Sequence, residues 1–371
     1  MGLPSCQYDH ARHSHVAGGG NDRRQTPPHL RRGKSQNANG LILTLVALLV
    51  GATATHAQSL KIATFNAELS RKGPGLLLRD VVRGKDPQIT AVLKLLQETN
   101  ADIVALQGFD YDLTGAALNA FADALADQGL DYPHRFSLPE NEGRTTNLDL
   151  DGDNRLGGPG NAQGYGPFFG ASGMAILSRF PILENAVTDF TPFLWRDLPD
   201  ALLPETDGTP FPNAEAQTIQ RLSSHGHWVV PVEVPQIGRI TLLTFHASPP
   251  VFDGPEDRNG KGNHDEVMFW NHYLAGTFGT YLLDRFVLLG DANQDPDKGD
   301  SHSTAIQTLL SHPKLQDPHP KQPTVNWAQT GPMRVDYVLP STDWTVLEAG
   351  ISSLENTIAS RHALVWVTLT R

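Results

Sequence analysis

Apolar residues along this chain come in two rhythms. Short continuous runs, such as Leu60 to Phe65, Ile103-Val104-Ala105-Leu106 and Phe286-Val287-Leu288-Leu289, mark strands buried on both faces. Between the first two, Ile89, Val92, Leu93, Leu95 and Leu96 repeat at helical spacing, and Asn100 is placed to end that helix. Leu118, Phe121, Ala122 and Leu125 mark a second helix, closed by Gly129. Further strands are predicted at Gly173 to Leu177, His227 to Val234, Ile240 to Phe245, Val335 to Leu339 and Ala363 to Leu369, with a helix over Glu266 to Leu283. Strands alternating with helices predict an α/β layered domain. Neither an internal repeat nor a dividing linker is visible.

Three segments interrupt the pattern. Pro139 to Gly170 is rich in Gly, Asn and Asp, Pro192 to Asn213 is rich in Pro, and Pro249 to Asp265 is polar and glycine-bearing. Long irregular stretches in a domain of this kind are binding loops or surface decoration.

The N-terminus has a different character. Leu41 to Val50 is an apolar run too short to span a bilayer, preceded by Arg23, Arg24, Arg31, Arg32 and Lys34. Thr55-His56-Ala57 has the small-x-small look of a secretory cleavage site. Residues 1–57 are therefore expected to be a long basic leader and signal peptide, with a mature catalytic domain over 58–371, exported to the periplasm or the medium and without a transmembrane segment after cleavage.

Cysteine and charge narrow the chemistry. Cys6 is the one cysteine and lies in the leader, so disulfides and thiol or zinc-thiolate chemistry are excluded from the mature domain. The leader holds six Lys/Arg and two acids; taking these from 29 and 40 leaves 23 basic and 38 acidic residues, a net charge near −15. That balance disfavours tight non-specific nucleic-acid binding, which depends on neutralising phosphates with cations. It tolerates an enzyme that meets phosphate at a localised site and must then release it.

Polar groups cluster where the predicted strands open into loops, the places from which a rigid sheet aims side chains into a cleft. In chain order the motifs are Thr64-Phe65-Asn66-Ala67-Glu68, Leu106-Gln107-Gly108, Gly173-Met174-Ala175-Ile176-Leu177-Ser178, Thr244-Phe245-His246, Gly290-Asp291-Ala292-Asn293, Arg334-Val335-Asp336-Tyr337-Val338 and Ser360-Arg361-His362. An acid, an amide and an imidazole brought together can hold a metal ion and activate water.

This series resembles the endonuclease/exonuclease/phosphatase superfamily, from about Lys61 to Thr370. The resemblance implies a four-layer α/β sandwich, with two mixed sheets face to face and helices outside. It implies that Asp291 positions or deprotonates the attacking water, with Asn293 holding it, and that Asp336 orients His362 against the scissile phosphate. His246 would serve the leaving group or the non-bridging oxygens, and Asn66 would orient a metal ligand or a phosphate oxygen. Glu68 matches a metal-binding carboxylate, and the implied cofactor is Mg²⁺ (or Mn²⁺ or Ca²⁺).

Two departures stand out. Gly108 stands where the family usually carries glutamate as its principal metal ligand, and Arg361 stands where many relatives have aspartate. Asp110 and Asp112 follow at intervals of two, so an extended chain would turn them to the same side as position 108. Asp110 or Glu68 is thus expected to take over as ligand, while Arg258 and Arg361 are candidate phosphate partners, the Arg361 guanidinium pairing alternatively with a neighbouring acid. The run Asp149 to Asn154 invites a calcium reading. The EF-hand template fails there, because it wants glycine at Asn154 and glutamate at Gly160, while a looser calcium turn stays open.

The sequence therefore points to an exported metal-dependent phosphohydrolase, a phosphodiesterase or nuclease whose partner is a phosphoester substrate; no obligate protein partner is evident. A phospholipid or sugar-phosphate phosphodiesterase of the same fold is the alternative that Phe193, Trp195, Phe211 and Phe252 would serve if exposed in loops. A non-catalytic binding module is the other, because Gly108 removes the usual ligand.

Overall fold

Two mixed β-sheets face each other, and the central strands of both run to one end of the sandwich. The structure, a computed structural model, describes residues 58–252, 254–279, 285–355 and 357–371. The leader and cleavage site expected over residues 1–57 lie outside the described residues. No helix among the described residues is long and apolar enough to cross a membrane.

The first sheet is built around β1 (Leu60–Asn66), parallel to β2 (Ile103–Gln107) and antiparallel to β15 (Val365–Thr370). β14 (Thr345–Ile351) flanks β15, and β4 (Ala175–Ser178) with β3 (His134–Phe136) extends the other side, in the order β14-β15-β1-β2-β4-β3. The second sheet follows the order β13-β10-β9-β8-β5, from β13 (Asp336–Pro340), β10 (Arg285–Asp291), β9 (Gly238–His246), β8 (His227–Val234) and β5 (Thr188–Asp189). Two small hairpins, β6 (Glu205–Thr206) with β7 (Thr209–Pro210) and β11 (Val325–Trp327) with β12 (Gly331–Met333), stand apart.

Side-chain parity explains the layers. In β1, Leu60 and Ile62 point between the sheets while Ala63 and Phe65 point outward. β10 does the same with Val287 and Leu289 inward and Phe286 and Leu288 outward. Both faces are covered, so the strands read as continuous apolar runs rather than alternating ones. α1 (Leu76–Arg83), α2 (Pro87–Thr99) and α3 (Ala116–Ala126) cover the first sheet, burying Leu77, Ile89, Val92 and Phe121 against it. α5 (Arg258–Ala275) and α6 (Thr304–Leu310) cover the second through Val267, Trp270, Ile306 and Leu309, and a short α4 (Ala214–Ile219) sits in the loops. The result is the four-layer α/β sandwich expected from the sequence.

Most predicted elements recur within two residues of their expected ends. Asp86 caps α2 by accepting from the Ile89 amide at 3.0 Å, and Asn100 closes it in the left-handed conformation. The expected helix over Glu266 to Leu283 needs correction. α5 starts at Arg258, inside the segment read as a polar loop, and ends at Gly276; residues 280–284 lie outside the described ones. The first half of α5 is polar and still buried, because its side chains bind other loops. Asn263 donates to Ser248 O and Ala292 O, while Asp265 accepts from Trp195 Nε1 and the Leu202 amide. Tertiary hydrogen bonds override the polar pattern there.

Candidate active site

The parity that fills the core also builds the site. Continuing the inward-facing positions of β1, β9 and β10 past the last apolar residue gives Asn66, His246 and Asp291, and the inward position before the first apolar one of the antiparallel β13 gives Asp336. Asp291 pairs in register with His246 on one side and with Asp336 on the other. Adjacent strands lie about 4.8 Å apart, so these three side chains are neighbours by construction. His362 enters from the segment before β15, tied down by Ser360, whose hydroxyl donates to Asn66 O at 2.7 Å and accepts from the His362 amide at 3.1 Å.

Asp291 is fully buried and held on every side. Its Oδ2 accepts from Asn66 Nδ2 at 2.9 Å and its Oδ1 from the Asn293 amide at 2.8 Å. Asn293 adopts a left-handed φ of 49°, which an Asn tolerates, and its side chain donates to Ala247 O at 2.9 Å. Gly290, at φ 152°, has no room for a side chain, since a Cβ would meet Phe245 O at 2.1 Å. Burial, reinforced by the nearby charge of Asp336, raises the Asp291 carboxyl to about 7. The carboxylate form is retained above that value by the two amide donors and by His362.

His362 Nδ1 lies 3.0 and 3.2 Å from the two Asp336 oxygens and 3.8 Å from Asp291 Oδ2. Burial disfavours its charged form, but the two carboxylates prevail and raise it to about 9. With Nδ1 engaged, Nε2 is bonded to nothing among the described residues, on a side chain that lines a cleft of about 1450 Å³. Trp327 meets the imidazole edge-on, with centroids 5.3 Å apart.

His246 is different. Its Nε2 is 3.6 Å from Asp291 Oδ2, yet burial and the neighbouring His225 and His362 charges push it well below 6.5, so it is a neutral imidazole. His225 stacks on it at 3.8 Å and 14°. His225 is itself raised to about 9, although burial opposes this, because Glu142 contacts its Nε2. The Glu142–His225 pair is thus a second acid–imidazole dyad lining the same cleft. Sequence reading overlooked it. Ser224-His225-Gly226 precedes β8 as Ser360-Arg361-His362 precedes β15, so the polar break before the run His227 to Val234 is the signal that was there. Glu266 in α5 accepts from the Ser224 and Ser248 amides and fixes both loops around the dyad.

Other expected site residues fall into two groups. Glu68, Arg361 and Arg258 line the cleft. Glu68 is committed: Oε1 accepts from Arg361 Nε at 2.8 Å and from Nη2, and Oε2 accepts from the Arg361 amide at 2.7 Å and Ser360 Oγ at 3.1 Å. Asp110 does not reach the cleft. Its carboxylate accepts from Ser70 Oγ, the Arg71 amide and the Ser172 amide at 2.8 to 3.0 Å, knitting two loops together. Asp112 accepts from the Ala116 and Ala117 amides and caps α3. The extended alternation expected from position 108 onward fails because Gly108 takes a φ of +67°.

These geometries have a family behind them. The sequence profile of the endonuclease/exonuclease/phosphatase family matches residues 63–362. The chain belongs to that family. Its members are phosphoester hydrolases. Among solved structures, an endonuclease/exonuclease/phosphatase from Beutenbergia cavernae shares 19% identity over 84% of this chain and 72% of its own, with a TM-score of 0.54. Sphingomyelinase C from Streptomyces griseocarneus shares 17% identity over 85% of this chain and 100% of its own, at a TM-score of 0.47. A family protein from Leptotrichia buccalis shares 15% over 84% and 100%, at 0.49. At such identities the likeness is one of fold. No curated protein matches in sequence.

Whether this member of the family can hold a cation depends on its donors. Asp291, Asp336 and His362 place ligand atoms within 4.8 Å of one another, as do the more exposed Asp149, Asp151 and Asp153, so acidic groups that could hold a metal are present. In the first group His362 Nδ1 is engaged by both Asp336 oxygens, at 3.0 and 3.2 Å. At the other corner of the cleft the donors do not fit. Both Glu68 oxygens are engaged, and a Cβ at position 108 would lie 2.5 Å from Asn66 Oδ1 and 3.0 Å from the Glu68 amide.

Proposed function

We propose that this chain hydrolyses phosphodiesters, as a nuclease or small-diester phosphodiesterase, with Asp291 as general base and the Asp336–His362 dyad as charged acid. The observation that supports it best is the row His362, Asp291, His246, His225 lining one cleft, with both His362 Nδ1 and His246 Nε2 within 3.8 Å of Asp291 Oδ2 and His225 stacked on His246 at 3.8 Å. Water attacks phosphorus as its proton passes to Asp291. The bond to the leaving oxygen breaks as His362 Nε2 gives up its proton. Asn66 and Asn293 keep Asp291 aimed, and burial together with the His225 and His362 charges holds His246 neutral. General acid–base help of this kind contributes roughly 10²–10⁴-fold.

Export fits the leader at residues 1–57 and remains part of this proposal. The lipid reading draws less support than the loops promised. Trp195 is buried and donates to Asp265, and Phe193 packs into the α5 core. Phe252, 91% exposed, and Phe211 still line the cleft, where they suit a nucleobase as well as an acyl chain.

The test is a panel of single-stranded DNA, bis(4-nitrophenyl) phosphate, a phosphomonoester and a choline phospholipid, each with the intact chain and with His362→Ala. Turnover of diesters that vanishes in the variant supports the reading. Equal turnover by both proteins sinks it.

A further inference from the structure

We propose that the Arg361 guanidinium, clamped by Glu68, is the fixed cation of the phosphate subsite and replaces a divalent ion at that corner of the cleft. This rests on the phosphoester reading above.

Three contacts define the guanidinium. One edge is bonded to Glu68 through Nε and Nη2, while the backbone amide of the same arginine bonds the other Glu68 oxygen. One face lies over Trp327, with Cζ 4.6 Å from the ring centroid. Trp327 in turn meets His362 edge-on, so Arg361 stands one ring away from the proposed acid. The side chain nevertheless keeps 63% exposure, lines the cleft, and leaves Nη1 without a partner among the described residues. An arginine bonded on one edge, stacked on one face and open on the remaining edge is organised for a phosphate oxygen, and little rotamer freedom is lost when one binds.

The same contacts work against a metal. A hard cation needs free carboxylate oxygens, and Glu68 offers none without giving up Arg361 and Ser360. A ligand side chain at position 108 would collide with the amide that holds Asp291. Asp110 is turned into another network. An ion entering here would also face the guanidinium itself. Glu68 is therefore a positioning residue for Arg361.

The experiment uses the full chain stripped with EDTA, bis(4-nitrophenyl) phosphate as substrate and inorganic phosphate as calorimetric probe. Wild-type turnover should agree within about twofold in EDTA and in Mg²⁺, and phosphate should bind in EDTA. Arg361→Ala should weaken phosphate binding at least about tenfold, with Arg361→Lys restoring only part, because an ammonium lacks the fork. Arg361→Gln, which still bonds Glu68, controls for folding and should bind as poorly as the alanine variant. If EDTA abolishes phosphate binding and Mg²⁺ restores it equally in wild type and Arg361→Ala, the assignment is wrong while the hydrolase reading stands. Arg361-dependent phosphate binding with no diester turnover under any condition would leave the assignment standing and remove the hydrolase.

Discussion

Asp291 and Asp336 face each other directly across an antiparallel strand pair, and a single imidazole, His362, lies within 3.8 Å of both. Two like charges in a buried register position repel. The arrangement persists because the imidazolium is shared between them: burial and the Asp336 charge raise Asp291, His362 pulls it partly back toward the carboxylate, and the two carboxylates raise His362 against its own burial. One cluster thereby sets both the base and the acid of the proposed reaction.

Activity should follow a bell in pH. Asp291 must be ionised to accept a proton, so the rate rises through about 7; His362 must be protonated, so it falls through about 9. Measuring kcat/KM for bis(4-nitrophenyl) phosphate from pH 5 to 10.5 checks this, and a profile still flat below pH 6 contradicts the base.

Replacing Asp336 by Asn should move the alkaline limb downward, because the largest contribution holding His362 charged is lost. Turnover at pH 8 should drop roughly 10²–10⁴-fold. An unmoved alkaline limb assigns that limb to another group.

Gly108→Ala should harm stability and catalysis together. The backbone there is left-handed at +67°, and the new Cβ would displace the Asn66 amide from Asp291. A cost of about 1–3 kcal/mol is expected, visible as a lower Tm, with a fall in kcat beyond the loss of folded protein. An alanine variant as stable and active as the parent would show that Asn66 has room to move.

Stability should decline between pH 7 and 10. His225 and His362 titrate near 9 and Glu140 near 8 in the fold, whereas their unfolded counterparts near 6.5 and 4.5 have already lost their protons. The folded chain therefore holds more protons in this window, and linkage makes its stability fall as pH rises through the folded values. Glu142→Gln should flatten the His225 part of that slope and lower Tm, since breaking one side of a buried pair costs about 3–5 kcal/mol. Calorimetry at four pH values decides; a Tm that climbs with pH refutes the assignment.

How much of this was legible follows from the kind of signal. Strand runs such as Ile103 to Gln107 and the capped α2 announce themselves locally, and Asp291, Asp336 and His362 sit at the ends of apolar runs that could be read one by one. The start of α5 could not be read, because Asn263, Asp265 and Glu266 look solvated until the loops they bind are known. The dyad of Glu142 and His225 joins residues 83 positions apart, with no pattern connecting them.

By itself the sequence determined most of the central strands, the layered class and the polar residues at the ends of apolar runs, since buried faces are written in neighbouring positions. Tertiary structure alone decided which charges meet: that Glu68 holds Arg361, that Asp110 turns away and that His225 is charged beside a neutral His246. Electrostatics acts over a few ångströms of space whatever the separation along the chain, so those pairings exist only once the two sheets have closed on each other.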